Sequence, residues 1–383
     1  MERTHHIYLV PGFLGFANLG RITYFGHVVR ILGERLGAAG LEPKIHIVRT
    51  PPTASLPVRA ARVAEVIDAT ARRGGAPLHL IGHSSGGLDV RLFTAPGVGL
   101  PTALDVEQLA ARVRTVVTVA APHHGTPLAS FFATLRGQQL LQLLSLSTVY
   151  VLNFGHLPLA ALLWMGSLFV RFGGMIANSD LLDELFGRLL EDFTVGRRRA
   201  VRALLRDVVR DQALMLQLTP EAMEVFNASV LPRTSIRYGA VVTQAACPNL
   251  LSTLRMGLDP AAQVTHALYT ALHQLIATTP GRVAPKLAPD QARALQRAYR
   301  EMPSPDANDG IVPTLSQAWG RIIHAAVADH LDVLGHFRDA AHDPPHVDWL
   351  VSGSGFDRQR FEALWTDVAR FLVGDARSRQ GRR

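Results

Sequence analysis

Across the first 125 residues, short apolar runs alternate with stretches of helical periodicity, and this alternation restricts the fold more than any other feature. IYLV (7–10), KIHIV (44–48), LHLI (78–81) and VRTVVTVA (113–120) read as strands. Helical spacing fills 24–39, 58–73 and 86–94 between them. Val- and Ile-rich strands separated by helices imply a parallel sheet, with crossover helices packed on its faces. The pattern stops after residue 125 and resumes at IRYGAVV (236–242) and RIIHAAVA (321–328). Residues 262–300 again look helical, and 358–373 form a last helix with Phe361, Leu364, Trp365 and Val368 on one side. The division expected is 1–125 for the first half of the core, 126–235 for a helical insertion, and 236–383 for the second half.

Composition removes several classes. With 48% hydrophobic and 18% charged residues, the 383-residue chain is neither disordered nor low-complexity. The only cysteine, Cys247, rules out an internal disulfide framework and a thiolate zinc site. Lysine occurs only at Lys44 and Lys286, so nearly all of the 39 basic residues are arginine. They are scattered, and the net charge of +8 does not mark a nucleic-acid binder, which concentrates charge on one face. The N-terminus enters a strand by His5 with no basic, apolar and cleavage-site succession before it. The expected location is cytoplasmic, unless a leader has been removed, with membrane association through the insertion.

Leu80-Ile81-Gly82-His83-Ser84-Ser85-Gly86-Gly87 carries G-x-S-x-G between a strand and a helix. A serine hydroxyl is a weak nucleophile and must be aimed at a base and a substrate together. A sharp strand-to-helix turn projects Ser84 out of the sheet, and the glycines avoid collisions with neighbouring elements. The helix N-terminus offers amides and partial positive charge to a developing oxyanion. Ser85 is the rival hydroxyl, but it does not sit between Gly-x and x-Gly.

The chain resembles the α/β-hydrolase superfamily, and within it bacterial triacylglycerol lipases and esterases. VPGFLGF (10–16), GHSSGG (82–87), NDGIVP (308–313) and DHLD (329–332) carry the resemblance, in the family's order. It implies a mostly parallel central sheet flanked by helices, with a large helical lid or cap insertion. It also implies a Ser-His-Asp triad that cleaves carboxylic esters through an acyl-enzyme without a cofactor. Ser84 matches the nucleophile and Asp309 of Asn308-Asp309-Gly310 the acid. His330 matches the base, on a loop past a strand end. His336 is the rival base, His324 reads as a sheet residue, and Asp306 is the fallback acid. The implied oxyanion donors are the amides of Phe13 and Ser85, with Pro11 where the family usually shows histidine. Leu14, His83 and His123 are expected at the substrate, although the turn geometry points His83 away from the working face. Some relatives hold calcium beside the histidine loop. Asp332 matches one ligand, but no second carboxylate can be placed, so no metal is expected.

No charged residue occurs between Arg136 and Arg171. Asn153, His156 and Pro158 interrupt the stretch, leaving 157–170 as its longest clean run, short of the roughly 20 residues a membrane span needs. Three readings stay open: a cap helix on the core, a lid that shapes an acyl pocket and meets lipid, and a membrane span. In 197–210, Arg198, Arg202, Arg206 and Arg210 recur every four residues opposite Val201, Leu204, Leu205 and Val208. A solvated face, pairing with acidic 180–192, and contact with an anionic membrane all fit that stripe. The expected partner is an ester or lipid substrate. An acyltransferase using the same triad and a binding protein on a hydrolase scaffold are the alternatives.

Overall fold

A computed structural model of the chain describes residues 4–13, 24–71, 74–154, 187–248, 259–279, 285–348 and 350–374. Six parallel strands form one sheet: β1 (Thr4–Val10), β2 (Glu42–Ile47), β3 (Leu78–His83), β4 (Val113–Val119), β5 (Arg237–Gln244) and β6 (Arg321–Val327), in spatial order β2-β1-β3-β4-β5-β6. The alternation in the sequence produces this sheet, since each parallel pair requires a crossover that covers a face. Every residue of β3 is buried, as a central strand with both faces covered demands.

The crossovers before β4 are α1 (Gly26–Ala38), α2 (Leu56–Ala71), and α3 (Gly86–Thr94) with the short α4 (Val106–Ala110). The sequence reading did not include α4; Asp105 caps it by accepting from the Gln108 amide at 3.0 Å. Between β4 and β5 the described residues form α5 (Pro127–Phe132), α6 (Leu135–Phe154), α7 (Val195–Arg210), α8 (Ala213–Gln217) and α9 (Pro220–Ser229), and no strand. The arginine stripe lies on α7. Val201, Leu204, Leu205 and Val208 are buried and α7 packs on α6, while Arg202, Arg206 and Arg210 are exposed. Of the uncharged stretch, residues 155–170 lie outside the described residues. Among the described residues, no helix is long and apolar enough to cross a membrane.

The stretch 262–300, expected to be helical, holds two helices, α10 (Pro260–Ala277) and α11 (Pro289–Tyr299). Pro289 opens α11 from its first turn, where a missing amide hydrogen costs nothing. The last helix, α12 (Arg358–Val373), matches the expected bounds. Trp365 donates its indole N–H to the Val333 carbonyl at 2.9 Å, so α12 anchors the segment just past His330.

The register aligns Val10 with Gly82, Gly82 with Thr118, Val119 with Val241 and Gln244 with Val327. The carboxyl ends of the strands therefore share one edge. Strand order reverses between β1 and β3, where open α/β sheets place their sites.

Candidate active site

Ser84 follows β3 with φ of +55°, a left-handed backbone that side chains other than glycine rarely adopt. Its amide donates to Val119 O at 2.9 Å, and its carbonyl accepts from the Gly87 amide at 2.9 Å. The turn is thus pinned at both ends. Ser85 occupies the N-cap position of α3 without a side-chain capping bond and is fully buried. A Cβ on Gly86 would lie 2.2 Å from Val10 O, so the first turn of α3 rests directly on the end of β1. A Cβ on Gly12 would lie 2.5 Å from Ser84 Cβ, which brings the loop after β1 against the serine.

Asp309 and His330 meet beyond β5 and β6. The imidazole Nδ1–H donates to Asp309 Oδ2 at 2.8 Å, and the His330 amide donates to the Asp309 carbonyl at 3.0 Å. The carboxylate is fully buried and has every lone-pair direction engaged. Oδ1 accepts from the amides of Ile311 at 3.0 Å and Val312 at 2.7 Å. Oδ2 also accepts from the Thr243 hydroxyl at 2.7 Å and Gln317 Nε2 at 3.2 Å. Donation from Nδ1 leaves Nε2 of a neutral His330 as an acceptor. The fallback acid, Asp306, is exposed. The rival base, His336, is buried outside the cavity that holds Ser84, with its imidazole brought down to about 4 by burial. His324 pairs with Asp367 at 2.9 Å on β6.

Ser84 and His330 line one apolar cavity. Phe13, Ile311 and Val312 flank them from the strand ends. Leu128 and Phe132 of α5, Leu141 and Leu144 of α6, and Met215 of α8 form the facing wall. Leu14 lies outside the described residues. His83 and His123, expected at the substrate, are not among the residues that line this cavity. His123 is fully buried, accepts from Arg91 at 3.0 Å, bonds Thr118 at 3.1 Å and stacks on Trp319. Burial first, and then the Arg91 charge, hold it neutral.

His83 has a different task. Its Nε2–H donates to the His330 carbonyl at 3.0 Å, which leaves Nδ1 to accept from the Tyr24 hydroxyl at 2.6 Å. The Gly12 amide donates to that hydroxyl in turn. A buried chain therefore runs from the loop after β1 through Tyr24 and His83 to the backbone of His330. Burial, followed by the neighbouring His330 ring, keeps His83 neutral far below the usual histidine range. Tyr24 carried no sequence signal, because only the fold brings it to His83.

Arg59 of α2 also escaped the sequence reading. It is fully buried and donates to both oxygens of Asp89, and to the carbonyls of Pro11 at 2.9 Å and Pro51 at 2.7 Å. One guanidinium thus ties the loop after β1 to α3 and to the loop after β2. Burial raises the Asp89 carboxyl to about 6, and the Arg59 charge opposes the rise. Arg59→Leu is expected to lower the unfolding free energy by about 3–5 kcal/mol, since it strands a buried carboxylate. The double variant Arg59→Leu, Asp89→Leu should recover part of the loss. Urea unfolding checks both, and a double variant less stable than the single would refute this account.

Asp332, which the resemblance matched to a calcium ligand, has Oδ2 engaged by the Asp329 amide at 2.9 Å and the Ser354 hydroxyl at 2.7 Å. Among the described residues no set of acidic groups brings three ligating atoms within 4.8 Å of one another.

The sequence matches no protein-family model and no curated protein. Solved structures do match the fold. Lipase 1 of Pelosinus fermentans aligns over 97% of this chain and 99% of its own, with a TM-score of 0.52 at 18% identity. The Staphylococcus hyicus lipase aligns over 96% and 95%, with a TM-score of 0.53 at 15% identity. The chain has the α/β-hydrolase fold of these bacterial lipases.

Proposed function

We propose that the protein is a serine hydrolase of carboxylic esters with an apolar acyl group. The observation that carries this reading is the shared cavity. A serine on a strained strand-to-helix turn and a histidine held by a buried aspartate open into the same apolar space.

The reaction follows from the groups present. Ser84 Oγ attacks the ester carbonyl while His330 Nε2 takes its proton. Asp309 holds Nδ1–H and stabilises the imidazolium. The amides of Phe13 and Ser85 donate to the oxyanion, which appears only as the carbonyl becomes tetrahedral. His330 returns the proton to the departing alkoxide. Water, deprotonated by the same imidazole, then releases the acid and restores Ser84. Tyr24 and His83 hold the base and the Gly12–Phe13 loop in register. A fluorophosphonate probe should label Ser84, as read by mass spectrometry; an intact unlabelled enzyme would end the hydrolase reading.

The facing wall sets the acyl preference. Residues 126–235 are read as its source, a lid over the acyl chain. Each methylene buried there contributes about 0.8 kcal/mol, so filling the space that holds four of them is expected to cost roughly 100-fold. Leu144→Trp should therefore slow p-nitrophenyl decanoate about that much relative to butyrate. Equal losses on both esters would remove the wall from the acyl site.

A further inference from the structure

We propose that His27, His342 and His346 form a site for a transition-metal ion of the zinc class, separate from the cavity that holds Ser84 and His330. One ring nitrogen of each lies within 4.8 Å of the other two, and among the described residues no other group of three His, Cys, Asp or Glu side chains does so. His27 is in the first turn of α1. His342 and His346 belong to the segment that follows the His330 loop.

The hydrogen bonds of the three rings point to a ligand. His346 donates Nδ1–H to Gly335 O at 2.7 Å, and His342 donates Nδ1–H to Pro344 O at 2.8 Å. A carbonyl only accepts, so each ring carries its lone pair on Nε2. Backbone carbonyls orient metal-binding imidazoles in this manner. His346 Nε2 is buried without a hydrogen-bond partner, and so is His27 Nδ1. The two rings stack with centroids 3.7 Å apart and planes 18° from parallel, so neither can satisfy the other. Buried polar atoms left unmet are costly, and two together on adjoining rings call for a shared partner.

A cation that accepts imidazole lone pairs supplies that partner. An all-imidazole set suits zinc, copper or nickel, and not the oxygen-seeking magnesium and calcium. Binding requires one stacked ring to turn about χ2, a soft torsion. It also displaces Arg30, whose guanidinium donates to His342 Nε2 at 2.6 Å and to Asp343 O at 3.2 Å. Arg30 is exposed, so its side chain can move into solvent. His342 is half-buried, which leaves the fourth position of a tetrahedral ion open to water. The bound ion would fasten α1 to the segment after His330.

The test uses the full chain stripped with chelator, titrated with zinc chloride by calorimetry and with cobalt(II) by its visible absorption. The expected result is one ion per chain, with the band intensity of a tetrahedral cobalt site. His342→Ala removes a half-buried ring and should fold; it is expected to weaken binding at least tenfold. Arg30→Ala should tighten binding, because it removes the competitor for His342. His46→Ala, which alters the separate pair in which His46 Nε2 lies 3.0 Å from His6 Nδ1, should bind as the parent does. A parent chain that binds no ion, a His342→Ala chain of unchanged affinity, or an Arg30→Ala chain that binds more weakly would each overturn the proposal.

Discussion

Ser84→Ala is expected to lower ester turnover by about six orders of magnitude, the loss seen when a triad nucleophile is removed. The fold should persist, since the turn is held by backbone bonds from Ser84 to Val119 and Gly87 that alanine retains. The informative comparison is Ser85→Ala. Ser85 is buried and its hydroxyl lies 3.5 Å from Arg59; in the proposed reaction only its amide meets the oxyanion. That variant should keep most of its activity. Initial rates on p-nitrophenyl butyrate decide between them. An active Ser84→Ala beside a dead Ser85→Ala would shift the nucleophile by one residue.

Asp309→Asn should cost about four orders of magnitude in kcat. The buried carboxylate accepts from both sides, and an amide cannot. With its NH2 in the place of Oδ2, a donor faces His330, Thr243 and Gln317. With its NH2 in the place of Oδ1, a donor faces the amides of Ile311 and Val312. Either orientation leaves buried donors unmet, and the first turns His330 to the wrong tautomer. His330→Ala should match Ser84→Ala, because the two act as a unit. Stopped assays with circular dichroism separate lost catalysis from lost structure. Unimpaired turnover in Asp309→Asn would place the acid elsewhere.

Strands and helices of the core were legible because each crossover leaves a local signature, an apolar run followed by helical spacing. The helix at 86–94 and the last helix fall at the expected residues. The break between α10 and α11 is marked in the sequence by Pro280, Gly281, Pro285 and Pro289, which a helical reading across 262–300 passes over. Ser84 stood out because a strained turn needs particular residues next to it in the chain. Thr243 and Gln317 did not, since they reach Asp309 only after β5 and the turn at 314–317 are brought together. Arg59 was hidden for a related reason. A lone arginine on an amphipathic helix reads as solvated, and only the packing of α2 on α3 buries it against Asp89. His83 stands beside the G-x-S-x-G serine and His123 just past the strand 113–120, whereas their ring nitrogens answer to Tyr24 and Arg91.

The contact of Gly86 with the end of β1 is made by main chain against main chain. No side chain mediates it, so substitutions around it have little to adjust. The opposite side of the cavity consists of interchangeable apolar groups on α5, α6 and α8. The two halves therefore differ in how freely they can drift. A lineage carrying this scaffold can reshape the cavity by trading leucines for bulkier or smaller residues on the helices. The half that carries Ser84 stays outside that search, and each trial leaves its turn unchanged.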